Sequence, residues 1–355
     1  MKQRSLIAFL AVPAVAVALV SCSGADSTTP STGSSSYSYT SDQDGIESVD
    51  GVALAADGAV PSGSGERIAV VLKALSNQYW QGIELGVQAA AADFDIEVTV
   101  QAASSESAQT EQLTIAQTMV NDEYDAYILA PESTSNLAPA IDAMMGQGAP
   151  IINVDDARIG ATVYVGPNHK LNGEQAADYI AELNPDGGKV AQIEGQAGSS
   201  AATLRIAGFT EGIATHPNLE LVASVPGDWD ADKAFAATQQ ILQQNPDLIG
   251  IYANNDTMAI GVSRAVEEAG KAGQVAVIGT DGVPEAVNGV RDGSMVATVS
   301  PLPYYEGYWA VEAAVRVLRG ETVKPWVVAP AQLITQDNVD EYYTEDGLVI
   351  TGLYE

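Results

Sequence analysis

From Glu66 onward the chain alternates short apolar runs with longer amphipathic stretches. Arg67-Ile68-Ala69-Val70-Val71-Leu72 is the continuous apolar run of a strand buried on both faces. Gln78 to about Phe94 places Tyr79, Ile83, Val87 and Ala90 on one side of a helix. A strand at Ile96 to Val100, a helix at Ser107 to Asn121, a strand at Ala126 to Ala130, a helix at Ser135 to Met145 and a strand at Pro150 to Val154 follow. The pattern then restarts. Strands at Val190 to Ile193, Leu219 to Ser224, Leu248 to Tyr252, Val275 to Ile278 and Met295 to Val299 alternate with helices that begin near Ser200, Ala231, Asp256, Pro284 and Tyr304. Strand–helix alternation of this kind predicts right-handed βαβ units. The fold class is therefore α/β, with two doubly wound parallel-sheet domains.

The beginning of the chain has another texture. Lys2 and Arg4 precede a nearly unbroken apolar stretch from Leu6 to Val20, too short to span a bilayer comfortably and suited to a secretory signal. It ends in Leu19-Val20-Ser21-Cys22, which resembles a bacterial lipobox, and Cys22 is the only cysteine of the chain. The expectation is cleavage before Cys22 and lipidation there. Ser23 to Gly65 is rich in Ser, Thr, Gly and Asp and offers little apolar surface to offset ordering, so it reads as a flexible tether.

Composition narrows the function. The 355 residues suit two domains and a tail. Fifteen basic against 46 acidic side chains give a formal charge of −31, which repels nucleic acid and anionic headgroups and excludes a DNA- or RNA-binding role. One cysteine and two histidines leave no intrachain disulfide and no cysteine- or histidine-rich metal site. Neither a cofactor nor a metal is expected. No Gly-x-Ser-x-Gly elbow occurs, His169 and His216 read as surface residues, and the adjacent Asp155 and Asp156 do not straddle a bond as glycosidase carboxylates do.

In doubly wound sheets ligands lie beyond the carboxyl ends of the strands. Those ends carry Lys73 with Asn77, Tyr79 and Trp80; Asp155 and Asp156; Thr203 and Arg205 after Gly198-Ser199-Ser200; Trp229; Asn255 with Asp256; and Asp281 before Gly282. Carboxylates grip neighbouring hydroxyls, carboxamides donate and accept together, and aromatic faces cover the C–H faces of a pyranose. Carbohydrate or polyol is the ligand class that needs both. Blander roles stand beside several of these: Asp155 and Asp256 also suit helix caps, for Asp256 the more natural reading, and Asp281 suits a turn.

Arg67 to Thr335 resembles the ribose-binding-protein-like periplasmic sugar-binding proteins, which share their fold with the ligand-sensing part of LacI-type repressors. The resemblance rests on Leu75-Ser76-Asn77-Gln78-Tyr79-Trp80, Ala197-Gly198-Ser199-Ser200-Ala201-Ala202, Ala253-Asn254-Asn255-Asp256-Thr257-Met258-Ala259-Ile260-Gly261 and Val277-Ile278-Gly279-Thr280-Asp281-Gly282. It implies two lobes that close on a ligand about three crossings, near Gly166-Pro167, Ser300-Pro301 and Ala329-Pro330. On that basis the chain divides into a signal peptide (1–22), the tether (23–65), an N-terminal lobe (66–166 and 302–329), a C-terminal lobe (167–301 and 330–337) and an extension (338–355).

The resemblance also implies that Asn77, Asp155, Asn255 and Asp281 bond ligand hydroxyls, with Tyr79, Trp80 and Trp229 walling the ring. Departures speak against ribose: Asp156 and Thr203 stand where ribose binders have arginines, Pro301 replaces a glutamine, and Lys73 replaces a small polar residue. Lys73 reads either as a ligand donor or as a partner of Asp155 or Asp156. The implied function is a lipid-anchored, extracytoplasmic, monomeric solute-binding protein that delivers a monosaccharide, polyol or cyclitol to the permease of an ABC importer. A receptor feeding a membrane sensor remains the alternative, because its pocket would look the same. The extension lies along a domain surface or contacts a partner.

Overall fold

The continuous apolar runs become the central strands of two sheets, as the computed structural model of the chain shows for residues 46–55, 57–58, 60, 65–156 and 159–354. The signal segment, Cys22, most of the tether, Ala157 and Arg158 lie outside the described residues. In chain order the first lobe takes β1 (Ser48–Asp50), α1 (Gly51–Ala55), β2 (Arg67–Ala74), α2 (Gln78–Phe94), β3 (Glu97–Ala103), α3 (Gln109–Val120), β4 (Ala126–Leu129), α4 (Ala138–Gly146), β5 (Ile151–Val154) and β6 (Val163–Gly166). The second takes α5 (His169–Leu183), β7 (Gly188–Glu194), α6 (Ser200–Thr215), β8 (Leu219–Pro226), α7 (Ala231–Gln244), β9 (Leu248–Ala253), α8 (Asp256–Glu268), β10 (Ala276–Thr280), α9 (Pro284–Asp292) and β11 (Ala297–Ser300). The chain returns to the first lobe for α10 (Pro303–Leu318) and β12 (Trp326–Val328), then crosses again for β13 (Gln332–Ile334) and α11 (Val339–Tyr342).

The first sheet has the order β1-β12-β6-β5-β4-β2-β3 and is parallel throughout. The second has the order β13-β11-β10-β9-β7-β8, parallel except where β13 runs against β11. Burial follows position: β2, β4 and β5 are buried along nearly their whole length, whereas the edge strands β3 and β8 alternate with solvent. Chain order reverses beside β2 in one sheet and beside β7 in the other. These switch points put the loops after β2, β5, β7, β9 and β10 on facing edges.

One expectation is corrected here. The composition predicts a tether running to Gly65, but Ser48–Asp50 pairs with Trp326–Val328 and is followed by α1. Three contacts anchor it. Leu54 is buried, and Gly51 lies so close to the Trp309 indole that a Cβ would overlap the ring. Arg316 then donates to the carbonyls of Leu54 (3.2 Å) and Gly58 (3.0 Å). Two apolar contacts and one guanidinium order a stretch whose composition alone says coil.

Candidate functional site

The first lobe builds its side of the site from the end of β2. Asn77 caps α2, its Oδ1 accepting from Tyr79 N at 2.9 Å, a bond worth ~1 kcal/mol to a helix. Its Nδ2 donates to Glu106 at 3.0 Å, and Trp80 Nε1 donates to the same carboxylate at 2.5 Å. Tyr79 places its hydroxyl 2.8 Å from Asp155 Oδ1 and 3.1 Å from Glu306 Oε2. The hydroxyl has one proton to give. Burial, and Asp155 beside it, push the Glu306 carboxyl well above the usual range. The hydroxyl proton serves Asp155, the nearer acceptor, or Glu306, and the raised Glu306 carboxyl is the one of the two that more readily holds a proton of its own.

Asp156 joins the two lobes. Its Oδ2 accepts from Lys73 Nζ (2.5 Å) and Ser199 Oγ (2.6 Å), and its Oδ1 from the backbone N–H of Ala201 (2.8 Å). Ser199 and Ala201 belong to the start of α6, so the carboxylate of one lobe sits on the helix N-terminus of the other, where the backbone N–H groups and dipole favour an anion. Burial alone would raise this carboxyl, but Lys73 and His169 outweigh it and hold Asp156 well below the usual range.

Arg205 organises the second lobe. Buried in α6, it donates to the carbonyl of Asn254 (2.7 Å) and to Asp281 Oδ1 (3.2 Å), while its Nε has no hydrogen-bond partner among the described residues. Asn255 is the cap of α8, accepting from Met258 N at 3.0 Å; its Nδ2 is the group left to donate in the cleft it lines. Asp256 does not cap that helix. Its carboxylate accepts from Gly282 N (2.7 Å), Val283 N (3.0 Å) and Thr298 Oγ1 (2.8 Å), fixing the loop that carries Asp281, and burial pushes it up to about 6. Trp229 stands over Gly195, where a Cβ would collide with the indole.

Lys73, Asn77, Tyr79, Trp80, Asp155, Asp156, Arg205, Trp229, Asn255 and Asp281 thus line one cleft, with Glu106 and Ala201. Several of them hold unusual backbone. Asp155 has φ 57°, Trp229 φ 62° and Asp281 φ 139°, and Leu302 at the second crossing has φ 58°. Each such conformation costs ~1–3 kcal/mol, and the surrounding bonds over-determine it. That strain aims the polar groups at the cleft.

Three sequence expectations fail here. Thr203 is not in the cleft: two residues are about 200° on a helix, so with Arg205 inward Thr203 faces out, its hydroxyl bonded to Ser199 O in its own helix. His169 is buried rather than exposed, 3.0 Å from the carbonyl of Asp155, and burial lowers it to about 4. It is neutral at pH 7, so its contribution to stability is present above the ordinary histidine range and lost as pH falls toward 4. Asp256 is the third, as above. Sequence reading also missed Glu106 and Glu306. Glu106 stands at the carboxyl end of β3, the same signal that marked the others; Glu306 lies inside a helix with no local cue.

Glu132 is a further buried carboxyl, 2% exposed with neither oxygen partnered among the described residues, and burial raises it to about 7. A raised carboxyl costs nothing below its unfolded pKa and destabilises as pH rises through its folded one. Glu132→Gln is expected to match the parent in chemical denaturation at pH 5 and to exceed it at pH 8. Equal stability at both values would show that the carboxyl is solvated.

Fold and cleft define a class: a two-lobed α/β binding protein whose polar, indole-walled site lies between the lobes. Among the described residues no group of His, Cys, Asp and Glu is arranged to hold a metal ion. The sequence profile described as a periplasmic binding protein domain matches residues 68–322. The chain is 36% identical over 272 residues to the D-allose-binding periplasmic protein of Escherichia coli (strain K12), covering 74% of this chain and 88% of the relative. It is 33% identical over 282 residues to the ribose import binding protein of Salmonella typhimurium, covering 78% and 93%. A periplasmic solute-binding protein of an ABC transporter from Actinobacillus succinogenes, solved with bound D-allose, superposes with a TM-score of 0.75 at 31% identity, covering 78% of this chain and all of the other. The chain belongs to the periplasmic binding protein family, in its ribose-binding-protein-like, sugar-binding branch. It is a binding protein and not an enzyme.

Proposed function

We propose that the protein is the extracytoplasmic receptor of an ABC importer, lipid-anchored through Cys22, monomeric, and binding an aldohexose of the D-allose type between its lobes. The observation that carries this is the convergence of Asp155 and Glu106 from one lobe, and Asp281, Arg205 and Asn255 from the other, between Trp80 and Trp229. Carboxylates bridge adjacent hydroxyls, Arg205 and Asn255 donate to ring and hydroxyl oxygens, and the indoles cover C–H faces. The relatives named for D-allose and ribose support a monosaccharide. Pro301, which offers no side-chain hydrogen bond, and Asp156, already occupied by Lys73, Ser199 and Ala201, separate this cleft from the ribose pattern.

A chain starting at Ser23 keeps β1 and serves for the test. Thermal shift and calorimetry would compare D-allose, D-ribose, other hexoses, xylitol, myo-inositol and amino-sugars, with amino acids and nucleosides as controls. A ligand at ~100 times its Kd adds about 2.7 kcal/mol of stability. The expected result is a shift with an aldohexose, D-allose foremost, that disappears in Asp281→Ala. A shift only with a non-carbohydrate would overturn the assignment.

A further inference from the structure

The segment after Asn338 lies outside the region that matches the family, 68–322, yet it is folded against both lobes. On the C-terminal lobe Arg291 of α9 grips it, donating to the carbonyls of Tyr343 (3.1 Å) and Thr344 (2.8 Å) and pairing with Asp340 at 3.0 Å. Tyr343 is buried, with its hydroxyl 2.5 Å from Ser300 Oγ. Ser300 ends β11 at the second crossing and also accepts from Leu302 N at 3.0 Å. Gly282 has φ 72°, and a Cβ there would strike both the Tyr343 hydroxyl and Ser300 Oγ. The loop that presents Asp281 is seated directly on Tyr343.

A few residues later the segment reaches the other lobe. The Tyr305 hydroxyl of α10 donates to Ile350 O (3.0 Å) and accepts from Leu353 N (2.7 Å). The Tyr354 ring packs on Tyr305 at 4.9 Å between centroids and on Trp309 at 5.9 Å. Helix α10 packs along α2, in the first lobe. The segment therefore holds Ser300 on one side of the Pro301 crossing and Tyr305 on the other. A rotation about that crossing must loosen one of the two grips.

We infer that residues 339–354 are a fourth, non-covalent link across the hinge: Tyr343 positions the Asp281 loop, and Tyr354 latches the N-terminal lobe in the closed arrangement that Asp156, Ser199 and Ala201 make across the cleft. Contacts made in one state and not the other shift the equilibrium by their differential free energy. The ligand readout rests on the sugar-binding reading above; the lobe geometry does not.

The test uses the chain from Ser23 with Tyr354→Ala, with Tyr305→Phe, which removes the shared hydroxyl and keeps the ring, and with Tyr343→Phe. Small-angle scattering and spin-label distances between the lobes are measured without ligand and with saturating D-allose, and dissociation is followed by tryptophan fluorescence. Tyr354→Ala and Tyr305→Phe are expected to widen the ligand-free lobe distances and to speed dissociation about 5-fold or more, the lower range of allosteric couplings. Tyr343→Phe is expected to weaken affinity with the distances unchanged. Wild-type distances and dissociation rates in both Tyr354→Ala and Tyr305→Phe would reduce the segment to a surface covering. If the parent bound no sugar, the ligand assignment would fail, while the ligand-free distances would still decide the latch.

Discussion

Arg205→Ala is expected to abolish ligand binding and to cost roughly 3–5 kcal/mol of folding stability, the range for stripping one partner from a buried ion pair. Arg205 is 3% exposed and is the cation beside Asp281, which lies near Asp256 and Asp155. Burial pushes the Asp281 carboxyl up, Asp256 and Asp155 push it further, and Arg205 is the group that pulls it back. Without the guanidinium, Asp281 stays buried among carboxylates and the Asn254 carbonyl loses its donor. The sign with pH follows. Removing Arg205 raises the folded pKa of Asp281 further, so the penalty is full above that value and shrinks as the medium becomes acidic enough to protonate it. Urea denaturation across a pH series should show a deficit that grows as the pH rises. Arg205→Lys should recover part of the stability and little of the binding, since an ammonium lacks the planar fork that spans two acceptors. A variant as stable as the parent at pH 7.5 would mean that Asp281 does not need its counter-ion.

The parts of this site that were legible in the sequence are those set by local order along a strand. A buried parallel strand announces itself as an apolar run, and the residues after it lie at the switch-point edge, so periodicity places Asp155, Asn255 and Asp281 at strand ends, while the resemblance singled them out from their neighbours there. Helical phase was harder to read. Thr203 and Arg205 lie two residues apart in the same first turns of α6, and only the packing of that helix decides which one points inward. Glu306 and His169 were illegible for another reason: each follows a crossing between lobes, where the direction of a side chain depends on how two separately folded sheets are set against each other. The segment at Ser48–Asp50 shows a third limit. Its composition is that of a coil, and it pairs with Trp326–Val328 while Trp309 and Arg316 hold Gly51 and Leu54 just after it, all more than 250 residues away in the chain.

Asp156→Ala is expected to weaken ligand binding ~10- to 100-fold and, by leaving the buried Lys73 without its anion, to lower the unfolding midpoint of the ligand-free protein as well. The two effects follow from where the bonds are made. Lys73 and Asp156 belong to the same lobe, so their pairing contributes to the stability of that lobe. The bonds to Ser199 Oγ and Ala201 N cross the cleft, so they exist only when the lobes meet. Hydrogen bonds to a charged group contribute ~1.5–3 kcal/mol each. Two of them, less the cost of drying the carboxylate, leave one to two powers of ten in the closing equilibrium, since each 1.4 kcal/mol is tenfold. Because encounter with the open form is untouched, the loss should appear as faster dissociation at a constant association rate. Asp156→Asn separates the two contacts: an amide oxygen can still accept from Ala201, but the amide nitrogen opposes Lys73 and Ser199, so an intermediate affinity is expected. Lys73→Met should also favour the open form, because it leaves the Asp156 charge to be buried against α6 without its cation. Stopped-flow fluorescence with D-allose measures both rates. An Asp156→Ala protein that released ligand at the parental rate would show that the carboxylate binds Lys73 and takes no part in holding the lobes together.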